Sequence, residues 1–171
     1  MKILKYFFLL ILLILVGSFV FISTQTNEFK VEKKTFLKFN KETVYNYLND
    51  FKNWNEWNYW NQNNKIVNIV YSDTTIDANS YYKWSDGLVR SIFSKQSDSL
   101  AQKVQVGNYK SLSQIKLKDT IGGTILTWKV AGTVGFKDKF LNFLSGGNNT
   151  NFTSILTKNL NQLNAVLNLE L

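Results

Sequence analysis

The chain predicts an α+β fold: a curved, seven-stranded antiparallel sheet wrapped around one long C-terminal helix, preceded by a single N-terminal transmembrane helix. Three observations predict it. Residues Ile3 to Ile22 form a nearly unbroken apolar run. Seven short segments of strand character are separated by Asp, Asn, Ser and Gly clusters of hairpin length. The last stretch, Asn148 to Leu171, carries Phe152, Ile155, Leu156, Leu160, Leu163, Val166 and Leu167 along one stripe at three-and-four spacing.

The apolar run is long enough to cross a bilayer as a helix, and Lys2 and Lys5 at its start favour a cytoplasmic N-terminus. A cleaved signal peptide is the competing reading. Its small residues near the end, Val16 and Ser18, lie inside the apolar run, which disfavours cleavage. Residues 1–22 are therefore expected to be a membrane anchor, 23–27 a polar tether and 28–171 one folded domain of ordinary size.

In Glu28 to Phe39 the residues Phe29, Val31, Leu37 and Phe39 share one parity, as in a half-buried strand. Asn40 fits a helix N-cap with Glu42 in the first turn, and Val44, Tyr47, Leu48 and Phe51 share one face of the helix that follows. Asp50, near its end, is placed to accept backbone N–H bonds from the next turn. Trp54, Trp57 and Trp60 then recur every three residues and, if helical, form an apolar slab that either packs as core or closes over a ligand. Further strands are expected at Lys65–Ser72, Ser80–Trp84, Leu88–Lys95, Leu100–Val106, Ser111–Lys118 and Thr124–Ala131. In the last, Thr124, Leu126, Trp128 and Val130 point to one side. Phe136 to Leu144 reads as a short helix ended by Gly146 and Gly147.

One helix is about 10 Å across, whereas neighbouring strands lie about 4.8 Å apart, so a seven-stranded sheet must curl to grip it. The curl is expected to leave volume that side chains fill in part.

Composition narrows the chemistry. The chain has no Cys and no His, which excludes disulfides, thiol and Ser-His-Asp catalysis and His-ligated zinc. No cofactor or metal is implied. The formal net charge is +8, but the lysines are scattered singly, as on a solvated face, so no nucleic-acid partner is expected.

The run Tyr45 to Trp60, reading YNYLNDFKNWNEWNYW, the run Gly123 to Gly132, reading GTILTWKVAG, and the amphipathic C-terminal helix together resemble the SRPBCC (START-like) superfamily. The closest likeness is to its bacterial polyketide cyclase/dehydrase and lipid-transport group, over about Phe29 to Leu167. The resemblance implies a helix-grip fold with a deep apolar cavity, in a group many of whose members carry an N-terminal membrane segment; with Lys2 and Lys5 cytoplasmic, the domain of a Gram-negative inner-membrane protein is expected in the periplasm, or secreted if the segment is cleaved. It puts no catalytic residue on this chain. Between Trp84 and Ser99, where such chains often show more glycine, the sequence departs from the pattern.

Trp57, Trp60, Tyr82, Trp84, Trp128, Phe136 and Phe140 are the expected cavity walls and mouth. Arg90 shares parity with Leu88 and Ile92 and is the candidate for an inward cation that meets an anionic headgroup; a bend that turns it to water is the alternative. The expected partners are a hydrophobic small molecule or lipid, and the membrane through residues 1–22. A cyclase-type enzyme using a cavity carboxylate or Tyr is the alternative, and a single-stranded nucleic-acid binder the second.

Overall fold

A computed structural model describes residues 2–63 and 68–170, without the side chains of residues 2, 60, 63 and 170. Residues 65–67 of the expected strand Lys65–Ser72, and the Trp60 side chain, lie outside the described residues. The chain runs α1 (Lys2–Thr24), β1 (Glu28–Leu37), α2 (Lys41–Asn49), α3 (Trp54–Trp57), α4 (Tyr59–Asn63), β2 (Val70–Tyr71), β3 (Tyr81–Trp84), β4 (Gly87–Lys95), β5 (Ser99–Val106), β6 (Tyr109–Thr120), β7 (Gly123–Thr133), α5 (Phe136–Leu144) and α6 (Asn148–Glu170). The strands form one antiparallel sheet in the order β1-β7-β6-β5-β4-β3-β2. Every connection after β2 is a hairpin, and the first strand closes the sheet against the last, so β1 and β7 pair along their whole lengths.

Alternation seats the sheet. Phe29, Val31 and Leu37 of β1, Ile115 and Leu117 of β6, and Leu126 and Trp128 of β7 are buried on one face, because successive strand residues point to opposite sides. Leu156, Leu160, Leu163 and Leu167 of α6 are buried against that face and belong to the same core. α6 packs most closely on β1. The part of the face it leaves uncovered is filled by the segment after β1, where Phe51 and Trp54 meet Tyr82 of β3 at ring-centroid distances of 5.2 and 6.3 Å.

The Asn40 side chain accepts the Thr43 N–H at 2.8 Å, capping α2. Asp50 Oδ1 accepts the Lys52 N–H at 2.9 Å, the structural role its position predicted. The tryptophan run is not one helix. The backbone leaves helical geometry at Asn58, with φ −73° and ψ 105°, and the Asn58 side chain accepts the Asn61 N–H at 3.3 Å, starting α4 afresh. Trp54 and Trp57 therefore share a face, and Trp60 belongs to the next helix.

Truncating Leu163, fully buried at the centre of the α6 row, is expected to cost about 2 to 5 kcal/mol of domain stability. Urea unfolding of Leu163→Ala in detergent checks this; a loss near zero contradicts the packing described.

Candidate functional site

Between the sheet and α6 lies a cavity of about 90 Å³. Its floor is a set of valines on the inner face of the sheet, Val31, Val89, Val104 and Val130 among them, and its roof is Phe152, Ile155 and Leu156 of α6. At one end Asn58, Asn61, Asn159 and the Tyr82 hydroxyl bring polar atoms to the apolar space. Asn159 Oδ1 accepts the Tyr59 N–H at 2.7 Å, which pins the start of α4 to α6. The Tyr82 hydroxyl donates to Asn61 Oδ1 at 3.4 Å. The other end is closed by the stacked rings of Phe29, Tyr109 and Phe152, with centroids 3.8 to 5.8 Å apart.

The volume is well below the roughly 300 to 1,000 Å³ of pockets that enclose drug-sized ligands, and smaller than the deep cavity the sequence led us to expect. The indoles are the reason. Trp54 and Trp57 stand 5.1 Å apart, and each meets Trp128, at 6.4 and 5.6 Å, so three large rings occupy the space the curled sheet opens. Two of the indole N–H groups are satisfied: Trp54 donates to the Leu48 carbonyl and Trp128 to Ser113 Oγ, both at 2.8 Å.

Trp84 stands apart from that cluster. It lines the cavity yet is half-exposed, and its ring stacks on Tyr82 at 5.5 Å with 23° between planes. It is paired across the β3–β4 hairpin with Gly87 and lies flat over it: a Cβ on residue 87 would fall inside the indole. Glycine here makes room for the ring.

Of the sequence-expected wall residues, the structure brings Tyr82, Trp84 and Trp128 to the cavity. Trp57 is 0 % exposed and sits behind Trp54 and Trp128 as core. Phe136 and Phe140 lie on α5, facing outward and away from the lining. Arg90 also faces outward, 5.0 Å over the Tyr81 ring. The inward parity of β4 belongs to Val89 and Ser91. Apolar residues occupy both parities of this strand, and a bulge between Ser91 and Phe93 turns Phe93 outward, which is why the sequence left both an inward and an outward Arg90 open; the outward alternative is the one observed. Asn159 was missed, although a buried Asn inside the leucine stripe of α6 is a readable signal.

A row of small and polar side chains crosses the inner face beside the cavity. Ser91 pairs with Gln102 and Gln102 with Ser113, all three buried. Ser91 Oγ and Gln102 Oε1 have no hydrogen-bond partner.

Among the described lining residues none is Asp or Glu, and the ionisable groups are the phenols of Tyr82 and Tyr109. Burial raises both: it pushes Tyr109 up to about 12 against a stabilising bond to Ser111, and Tyr82 further. A raised phenol keeps its proton in the folded chain after the unfolded chain has lost it, so folding stability is full below about pH 10 and falls between there and about pH 12. Tyr109→Phe is expected to flatten part of that loss. Denaturation at pH 9 and pH 11.5 measures it; an equal alkaline loss in the variant contradicts the burial of this phenol.

No protein-family model and no curated protein matches the sequence. Solved structures match the fold. Protein MLL2253 from Mesorhizobium loti aligns with TM-score 0.62 and 11 % identity over 83 % of this chain and 98 % of its own. A protein from Rhizobium leguminosarum gives 0.61 and 12 % over 85 % and 98 %. The di-domain ARO/CYC protein StfQ of the steffimycin biosynthetic pathway gives 0.57 and 14 % over 81 % of this chain and 50 % of that one. At such identities the likeness is one of fold: the domain shares the architecture of polyketide cyclase-like proteins.

Proposed function

We propose that this is a membrane-anchored member of the SRPBCC superfamily whose domain binds a hydrophobic small molecule or lipid without transforming it. The observation that carries the reading is the cavity between sheet and α6, walled mostly by apolar side chains, with the amides of Asn58, Asn61 and Asn159 at one end and the hydroxyls of Ser111 and Ser113 on the sheet. An apolar body with one hydrogen-bonding end fits that distribution: the valines and α6 side chains bury the body, and the amide groups orient the end. At about 90 Å³ the resting cavity admits part of such a molecule. Movement of the Trp84 indole off Gly87 is the expansion that requires least disruption, because that ring alone among the three lining indoles is part-exposed.

Catalysis is the weaker reading. The described lining supplies no carboxylate, and its two phenols are held protonated far above neutral pH, so a general base there has no candidate.

The anchor is α1. Ile3–Thr24 is long and apolar enough to cross a membrane, and nearly all of it is exposed. With Lys2 and Lys5 held on the cytoplasmic side, the domain lies in the periplasm of a bacterial inner membrane. Release by signal cleavage would leave the same domain free.

A brominated dodecanoic acid, which quenches tryptophan on contact, is expected to give saturable quenching of the full chain in detergent. Val104→Trp, which fills the floor, should weaken binding at least tenfold while circular dichroism stays unchanged. Quenching that rises linearly with acid and is indifferent to Val104→Trp would contradict the proposal.

A further inference from the structure

α5 is amphipathic in the reverse of the usual sense. Two of its polar residues face the protein, while Lys137 and Asp138 in the first turn are exposed: Lys139 is 8 % exposed and donates from Nζ to the Ser23 carbonyl at 3.0 Å. Asn142 donates to Asn148 Oδ1 at 2.9 Å and accepts from Asn151 at 2.7 Å. Its apolar residues face out. Phe136, Phe140, Leu141, Phe143 and Leu144 are all exposed, Leu144 by 69 %. A helix on the surface of a water-soluble domain turns the other way.

The outward face continues an apolar surface that already exists. Phe136 meets Phe19 of α1 at 5.5 Å and Phe143 meets Phe21 at 5.7 Å, while Ile22 is buried at the junction. Phe19 stands about 7 Å before the end of α1 at 1.5 Å per residue, and interfacial helices bury their apolar face about 5 to 10 Å into the headgroup boundary. The two depths agree.

We infer that α5 lies in the interfacial layer of the bilayer that α1 enters, with Phe140, Leu141 and Leu144 among the acyl chains. The inference rests on the reading of α1 as an uncleaved anchor. A second copy of the chain is the competing occupant, but it would have to cover α5 where α1 itself needs lipid. Two attachments fix the orientation of the domain. The end of the sheet that holds Glu28, Thr133 and Lys110 faces the membrane, and with it the cavity end closed by Phe29, Tyr109 and Phe152. An apolar ligand leaving the bilayer then meets this ring closure of the cavity without crossing water.

The chain has no cysteine, so single-cysteine variants report one position each. Nitroxide labels at Leu141→Cys and Leu144→Cys, on the full chain in vesicles of phosphatidylcholine and phosphatidylglycerol, are read by relaxation with lipid-soluble oxygen and a water-soluble nickel chelate. Ile121→Cys, fully exposed at the far end of β7, is the aqueous reference, and Leu12→Cys reports α1. The expected result is an oxygen-to-nickel ratio at residues 141 and 144 severalfold above that at 121. Labels as open to nickel as residue 121 overturn the inference, as do labels shielded from both reagents, the mark of a second copy. A lipid-embedded Leu12 label beside aqueous labels on α5 overturns this inference alone; an aqueous Leu12 label overturns the anchor reading with it.

Discussion

One helix has to cover a sheet about three times its width, since six strand spacings of about 4.8 Å face a helix of about 10 Å. Leu156, Leu160, Leu163 and Leu167 meet that constraint by seating α6 in the concave face nearest β1. The rest of the architecture follows from what this leaves uncovered. The sheet closes β1 against β7 and curls, and the segment between β1 and β2 folds over the remaining face with Phe51, Trp54 and Trp57. The space those rings do not occupy is the cavity. Its modest size reflects how much aromatic volume the sequence spends there.

Element order and the strand positions other than β2, which is only Val70–Tyr71 among the described residues, were legible because the signals are local. Alternation in Phe29, Val31 and Leu37, the Asn40 cap and the Leu156-to-Leu167 stripe each depend on neighbours a few residues away, and the structure places each as read. The break at Asn58 was not legible, because it depends on Asn159, a hundred residues distant, taking the Tyr59 N–H. The side of Arg90 stayed open for a related reason. Leu-Val-Arg-Ser-Ile-Phe has apolar residues on both parities, and only the pairing of Val89 with Tyr82 and Val104 decides which of them faces inward. Tyr82, Trp84 and Trp128 line the cavity because strand parity fixes their side. Phe136 and Phe140 do not, since apolar periodicity in a helix shows which residues share a face and says nothing of whether that face meets protein or lipid.

The two ends of the domain differ in kind. Near α1 and α5 the surface is apolar, with aromatic rings from both helices in contact; at the far end of β7 the turn at Ile121 and Gly122 is open to solvent. The cavity runs between an aromatic closure on the α5 side and the amides on the other.

Native mass spectrometry of the full chain, purified in detergent that is stripped away in the gas phase, tests the central claim most directly. The account predicts a one-to-one complex with a single class of small apolar molecule, lost in a chain whose cavity has been filled. The mass of the bare chain alone, or a mixture of adducts that matches the bulk lipids and persists after filling, would contradict it.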